Sequence, residues 1–297
     1  MDVHELDRGY HPRFARAFGR LLHHITRVWF RFEIRHVERV PKEPVLFVGN
    51  HSGIGIVDVL CLVGAAATAL GPDRRAVGMM HKMFVTAPVV GHVSRAFGAV
   101  PADPASARAA LKRGLDVVSF PGGDIDACRP WYEPRKVRFG NRRGYVRLAL
   151  EANVPIVPLA TLGSHPTYTL LPGGDAIARL TGMKKWARCE RFPLVLGAVI
   201  GAVVVVLALA SVLPWWAPLV SIVAALVPNP TRVTTEVLPA IDVTKLTAHI
   251  TDPSARLEAA HALVHGALSG AVATMEHGVD AADVAHAHAK SRVRARS

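Results

Sequence analysis

An α/β fold, a largely parallel sheet flanked by helices, is predicted by two observations. Short apolar runs bounded by Gly, Pro or Asn recur at residues 45–48, 116–120 and 155–159, too short for helices and continuous enough to be buried strands. Segments of helical period separate them, at residues 59–70, 88–95, 105–114 and 145–152. Strands that alternate with helices in this way pair in parallel, because each crossover helix covers a face of the sheet.

The elements follow in order. Residues 11–31, HPRFARAFGRLLHHITRVWFR, place Phe14, Phe18, Leu21, Leu22, Ile25, Val28 and Trp29 at helical spacing. Arg13, Arg16, Arg20, Arg27 and Arg31 accompany them with no acid between. This predicts a basic amphipathic helix, suited to an anionic bilayer surface or to packing on its own domain with a solvated basic face. Alternation at Phe32, Ile34, Val37 and Val40 predicts a first strand, closed by Pro41. The strand at 45–48 opens onto Gly49-Asn50-His51-Ser52-Gly53, and Asp58 starts an apolar helix stopped by Gly71-Pro72. Residues 76–84 read as a short strand and a turn carrying His81 and Lys82, and Asp103 caps the helix at 105–114. The strand at 116–120 runs into Pro121-Gly122-Gly123-Asp124-Ile125-Asp126, followed by a basic loop, RPWYEPRKVRFGNRRG.

The composition then breaks. No charged residue occurs between Arg191 and Arg232. Residues 194–213 form an apolar run of the length that spans a bilayer, which takes about 20 residues. Pro214-Trp215-Trp216-Ala217-Pro218 interrupts it, and residues 219–227 are too few to cross back. A single span would leave everything after Pro228 on the far side, yet residues 231–238 alternate like a strand of the same sheet. An inserted hairpin or re-entrant element is therefore expected, with a buried pair of core helices as the alternative. Residues 253–276 predict an amphipathic helix, and the Ala-, His- and Arg-rich tail from Gly278, with His286 and His288, predicts disorder. The resulting division is 1–39 for the membrane-surface helix, 40–191 and 231–277 for the core, 192–230 for the apolar insertion, and 278–297 for the tail.

With 51% apolar residues and a mean hydropathy of +0.27, some segment is expected to meet lipid. A net charge of +12 suits an anionic membrane face or phosphate-bearing substrates. Nucleic acid is not expected as a partner, because no helix-turn-helix, zinc-finger or aromatic-interleaved basic motif accompanies the charge. Cys61, Cys128 and Cys189 lie far apart, so neither a disulfide framework nor a metal site is suggested. The amino terminus has no apolar stretch of signal-peptide type, and a reducing, cytoplasmic side is expected.

Chemistry concentrates at His51. It sits on a glycine-rich turn at the carboxyl end of a strand, where open α/β sheets bind ligands, and Asp58 follows seven residues later. A histidine and an acid so placed can serve as a base and its orienter, or as a surface histidine and a helix cap. Ser119 lacks a Gly-x-Ser-x-Gly context, so a serine-hydrolase elbow is not expected.

Three turns follow apolar strands in order: Asn50-His51-Ser52-Gly53, Phe120-Pro121-Gly122-Gly123, and Val154-Pro155-Ile156-Val157-Pro158. Over roughly residues 40–250 the chain resembles the glycerolipid acyltransferase superfamily, which includes the lysophosphatidic acid acyltransferases. Phe-Pro-Gly-Gly-x-x-Asp from Phe120 to Asp126 is most similar to the monoacylglycerol/diacylglycerol acyltransferase-like branch. The resemblance implies a membrane-associated O-acyltransferase, its active site on the cytoplasmic side, acting in glycerolipid or phospholipid synthesis. It moves a fatty acyl group from acyl-CoA or acyl carrier protein to a lipid hydroxyl, with no other cofactor and no metal. It implies His51 as general base, Asp58 as its orienter, and the backbone N–H groups of Gly122 and Gly123 as oxyanion donors. Phe120, Pro121, Gly122, Gly123 and Asp126, with Arg129, Arg135, Lys136 and Arg138 of the basic loop, are the implied substrate-binding residues. Guanidinium groups match phosphate oxygens, whether of CoA or of a headgroup.

The chain departs from the family pattern in three places. The commonest spacing is His, four residues, Asp, whereas here the acid lies farther on. No arginine stands in Gly98-Ala99-Val100-Pro101-Ala102-Asp103, where phosphate-acceptor enzymes carry one, and Gly122 replaces the third-motif glutamate. These departures point to a neutral or differently decorated acceptor, such as a monoacylglycerol, a diacylglycerol or a glycolipid. A phospholipid transacylase and a catalytically silent lipid-binding membrane protein are the alternative readings.

Overall fold

The computed structural model describes residues 6–71, 74–133 and 136–278, with backbone alone for 279–294. Pro72, Arg135 and the tail side chains, those of His286 and His288 included, lie outside the described residues. The chain folds into a seven-stranded sheet of order β1-β7-β6-β2-β5-β3-β4. Its strands are β1 (Glu33–Arg35), β2 (Leu46–Gly49), β3 (Ala76–Met80), β4 (Ala99–Pro101), β5 (Asp116–Ser119), β6 (Ile156–Leu162) and β7 (Thr234–Val237). Every pairing is parallel except that of β6 with β7.

Helix α1 (Pro12–Trp29) precedes the sheet, and α2 (Gly55–Ala69) joins β2 to β3. Three short helices, α3 (Lys82–Thr86), α4 (Pro88–Ala96) and α5 (Pro104–Lys112), lead around β4 to β5. After β5 come α6 (Gly123–Ala127) and α7 (Gly144–Ala152), and after β6 come α8 (Gly174–Leu180) and α9 (Met183–Trp186). Then follow α10 (Leu196–Leu209), α11 (Ala217–Leu226), α12 (Val243–Leu246) and α13 (Pro253–Arg294).

Alternation along the strands sorts the core into two layers. Leu46 and Val48 of β2 face a cluster made with Ala107, Ala110 and Leu111 of α5, Val146 and Ala149 of α7, and Ala260, Val264 and Leu268 of α13. Val45 and Phe47 point the other way, with Val157, Leu159 and Val237. On that second side, Val57, Cys61 and Ala65 of α2 pack with Phe30, Phe32 and Val233. Strand β2 is thus covered on both faces, as a continuous apolar run in a parallel sheet requires.

Several expectations are corrected in detail. The first strand is only Glu33–Arg35, because His36 takes a left-handed conformation (φ 61°) and Val37–Arg39 closes into a 3₁₀ turn. Helix α2 begins at Gly55, ahead of Asp58, which lies within its first turn. Residues 99–101, for which no element was expected, are the edge strand β4, and an edge position tolerates Pro101. Helix α13 continues to Arg294, past Gly278 where composition predicted disorder; alanine, the strongest helix former, is frequent there.

Helix α1 buries a narrow stripe, Gly19, Leu22 and Thr26. Phe14, Phe18, Leu21, Ile25 and Val28 remain exposed on its flank. The apolar segment folds as a hairpin of α10 and α11. Among the described residues no helix is long and apolar enough to cross a membrane. The 14 residues of α10 rise about 21 Å, short of the ~30 Å hydrocarbon core. Left-handed Ser211 and Pro214 follow α10, and the chain returns to place β7 between β6 and β1. A single span cannot supply an interior strand of the sheet it left.

Helix α13 carries a testable contact with α7. Tyr145 Oη lies 2.9 Å from His261 Nδ1, and burial, with Arg143 and His265 nearby, lowers the His261 pKa from 6.5 to about 4. The fold therefore favours the neutral ring. Its stabilising effect is complete above pH ~6.5 and is lost as pH falls toward 4, because the unfolded chain binds the proton first. The melting temperature of the wild type is expected to fall over this window more steeply than that of His261→Gln.

Candidate active site

Parallel pairing puts the carboxyl ends of β6, β2 and β5 side by side at one edge of the sheet. From β2 the chain enters Asn50-His51-Ser52, from β5 it enters Phe120-Pro121-Gly122, and from β6 it enters Gly163-Ser164-His165. The site is made where these three turns meet. Asn50 locks the first turn to the third strand, donating from Nδ2 to Thr161 O and accepting from Thr161 N–H, both at 2.9 Å.

The His51 imidazole is held on two faces and at one nitrogen. The Phe120 ring stacks on one face, with centroids 4.3 Å apart and planes 10° from parallel. Gly55, at the start of α2, closes against the ring; a Cβ there would lie 2.7 Å from His51 Cε1. Only a glycine leaves room for the imidazole beside the helix. Nδ1 is 3.3 Å from Asp58 Oδ2, and among the described residues Nε2 has no hydrogen-bond partner. Asp58 is itself fixed: Ser52 N–H donates to Oδ2 at 3.0 Å, and Ser164 Oγ donates to Oδ1 at 2.5 Å. Ser52 Oγ in turn accepts from Ser164 N–H at 3.1 Å. The longer His–Asp spacing is thus absorbed by starting α2 at Gly55, which brings the acid back toward the ring within one turn.

The second turn supplies a backbone donor. Gly123 N–H donates to Phe120 O at 3.1 Å, closing the turn, so it is not aimed outward. Gly122 is buried, and its N–H meets no acceptor among the described residues. A Cβ on Gly122 would lie 2.3 Å from Asp126 Cβ and 2.5 Å from Arg138 O, so no other residue fits. Arg142 braces this turn from behind, donating from Nη1 to Gly122 O at 2.8 Å and from Nη2 to Asp124 Oδ1 at 2.7 Å.

The charged residues expected to bind substrate divide in two. Asp126 and Arg129 are buried, at 0% and 1% exposure, and their groups are spent on one another and on the His51 turn. They sit behind His51, where a headgroup cannot reach them. Burial pushes the Asp126 carboxyl up and the Arg129 guanidinium down, against their mutual attraction. Arg138 gives its backbone N–H to Asp126 Oδ1 at 2.9 Å and its side chain to Glu133 at 2.8 Å. Lys136 is exposed, and Arg135 lies outside the described residues. His165 is buried beside this cluster; burial and the Arg129 charge lower its pKa, which keeps it neutral.

Sequence reading missed Ser164, Gly55 and the bracing role of Arg142. Ser164 had a usable signal, a glycine-marked turn after an apolar strand, the same one that singled out His51. Among the described residues no three His, Cys, Asp or Glu side chains cluster as a metal site would.

A histidine paired with a carboxylate and a backbone N–H without an acceptor among the described residues meet at the carboxyl edge of a parallel sheet, an arrangement that can serve base-and-oxyanion chemistry. Residues 31–162 match the family model Acyltransferase. A Mycobacterium tuberculosis protein described only as uncharacterised is 30% identical over 188 residues, 63% of this chain and 52% of that protein. A Gallus gallus protein described as a "DGAT1/2-independent enzyme synthesizing storage lipids" is 30% identical over 136 residues, 46% of this chain and 40% of that protein. The chain spans about half the length of the curated relatives it matches, or less. The solved 1-acyl-sn-glycerophosphate acyltransferase PlsC of Thermotoga maritima aligns with a TM-score of 0.48 at 14% identity, over 87% of this chain and 81% of that one.

Proposed function

We propose that the protein transfers a fatty acyl group from a thioester, acyl-CoA or acyl carrier protein, to a lipid hydroxyl at a membrane surface in glycerolipid or phospholipid synthesis. The observation that carries this reading is the His51 imidazole with Nδ1 on Asp58 and Nε2 open. Neutral His51 takes the proton of the acceptor hydroxyl at Nε2 as that oxygen attacks the thioester carbonyl. Asp58 fixes the tautomer and stabilises the imidazolium. The carbonyl oxygen gains negative charge, for which Gly122 N–H is the supported donor. Collapse of the tetrahedral adduct expels the thiolate, which recovers the proton from the imidazolium. No covalent enzyme intermediate forms.

Access to lipid is supported by surfaces that share one root. Trp29 Nε1, at the end of α1, donates to Pro228 O at 2.8 Å, at the foot of the α10–α11 hairpin. The exposed apolar flank of α1 and the hairpin therefore stand together, with Trp215 85% exposed at the tip. Tryptophans there suit the headgroup boundary, and the α1 arginines suit anionic lipid on the cytoplasmic leaflet. The two ends of the hairpin are rooted on residues 167–171, just past Ser164, which holds Asp58. Replacing Trp215 and Trp216 with Ser is expected to weaken flotation with anionic vesicles several-fold while leaving the fold intact by circular dichroism.

The acceptor is expected to be neutral. Arg129 is not exposed to hold a phosphomonoester, and no arginine stands at residues 98–103. A screen of hydroxyl lipids with radiolabelled acyl-CoA or acyl carrier protein tests the assignment. Label in a monoacylglycerol, diacylglycerol or glycolipid ester supports it; label only in a phosphomonoester acceptor removes the neutral-acceptor reading.

A further inference from the structure

We infer that Asp126 and Arg129 form a clamp that positions the His51 peptide, so that the acid and the arginine following the Pro-Gly-Gly turn act on the base and not on a substrate. The inference rests on His51 being the base, as proposed above. The clamp holds residue 51 from both ends. His51 N–H donates to Asp126 Oδ2 at 2.7 Å, and Arg129 Nη2 donates to His51 O at 3.0 Å. The ring of contacts is closed by Arg129 Nη1 on Asp126 Oδ1. Arg138 N–H, at 2.9 Å, completes that oxygen, and Arg129 Nε anchors to Glu133 O at 3.0 Å.

Burial decides between positioning and binding. A phosphate or a CoA group cannot meet side chains that are 0% and 1% exposed. A buried ion pair is also a weak source of stability, because the cost of desolvation offsets the attraction. What this pair supplies is geometry. Two planar groups, each using two atoms, fix the peptide from which the imidazole projects toward Asp58 and Phe120. An error of about 1 Å in such a group costs on the order of 10²-fold in rate. The clamp also ties β2 to the segment after β5, so the base and the oxyanion turn keep one relative position.

The test uses the full chain on vesicles, with a thioester donor and the lipid acceptor found in the screen. Arg129→Lys keeps the charge but lacks the planar fork that reaches Asp126, His51 O and Glu133 O from three nitrogens. Asp126→Asn keeps an acceptor for His51 N–H but loses the ion pair. Both are expected to lower kcat by about 10–100-fold with each KM within about twofold of wild type, and to shift the pH dependence of kcat. A tenfold rise in either KM with kcat unchanged would assign the pair to substrate binding and overturn the inference. So would wild-type kinetics in both variants. If Asp126→Asn fails to fold, Arg129→Lys decides; failure of both to fold assigns the pair to the core and also overturns it. His51→Ala is run alongside. An active His51→Ala removes the base itself, whereas an inactive one beside unaffected clamp variants removes the clamp alone.

Discussion

His51→Ala is expected to lower kcat by about 10²–10⁴-fold, the range that general-base help supplies, while each KM stays within about twofold. The loss is expected in kcat because the hydroxyl proton moves only as the new bond forms. The variant should fold. The contacts from Asp126 and Arg129 reach the main chain of residue 51, which alanine retains, and the ring they leave behind was packed between Phe120 and Gly55. Steady-state kinetics on vesicles, with circular dichroism to confirm the fold, check both halves. A variant within threefold of wild-type kcat would contradict the role of the imidazole.

Asp58→Asn is expected to be nearly as damaging, by about 10²–10³-fold in kcat, since the orienting carboxylate both selects the tautomer and stabilises the imidazolium. The geometry explains why an amide cannot substitute. Asp58 accepts from Ser52 N–H and Ser164 Oγ and lies within reach of His51 Nδ1. An amide has one accepting oxygen for these partners. If its NH₂ turns to Nδ1, the proton is displaced to Nε2, where the base must be free. If it turns to Ser164, the tautomer survives but the negative charge is gone. Nitrogen-15 NMR of the His51 ring distinguishes these two outcomes, and both predict slow turnover. Wild-type turnover with a wild-type tautomer would leave Asp58 as a helix-end residue only.

Much of this was legible in the sequence, for physical reasons that can be named. Buried strands must be continuous apolar runs, so β2, β5 and β6 were visible, and their parallel pairing followed from the helices between them. The alternation of residues 231–238 implied that the apolar insertion returns, and β7 lies inside the sheet as that requires. His51 and Asp58 were visible because ligand sites form on turns at the ends of strands. The edge strands were less legible: β1 was expected over residues 32–40 but has only three residues, and the three-residue β4, which ends on Pro101, carried no strand signal of its own. Asp126 and Arg129 were visible as motif residues, but the sequence does not carry burial. A charged pair facing inward and one facing a substrate have the same spelling. Ser164 carried the turn signal but not its role, because its partner, Asp58, is distant in sequence and meets it only when β6 aligns with β2.

The most direct test of the account is a single-turnover reaction on vesicles that follows thiol release and lipid-ester formation together, with and without a hydroxyl lipid. The account predicts one thiol released per ester formed, both dependent on the acceptor hydroxyl, and both suppressed in His51→Ala. Ester formation at equal rates in wild type and His51→Ala would contradict it, as would thiol release that forms no ester when the acceptor is present.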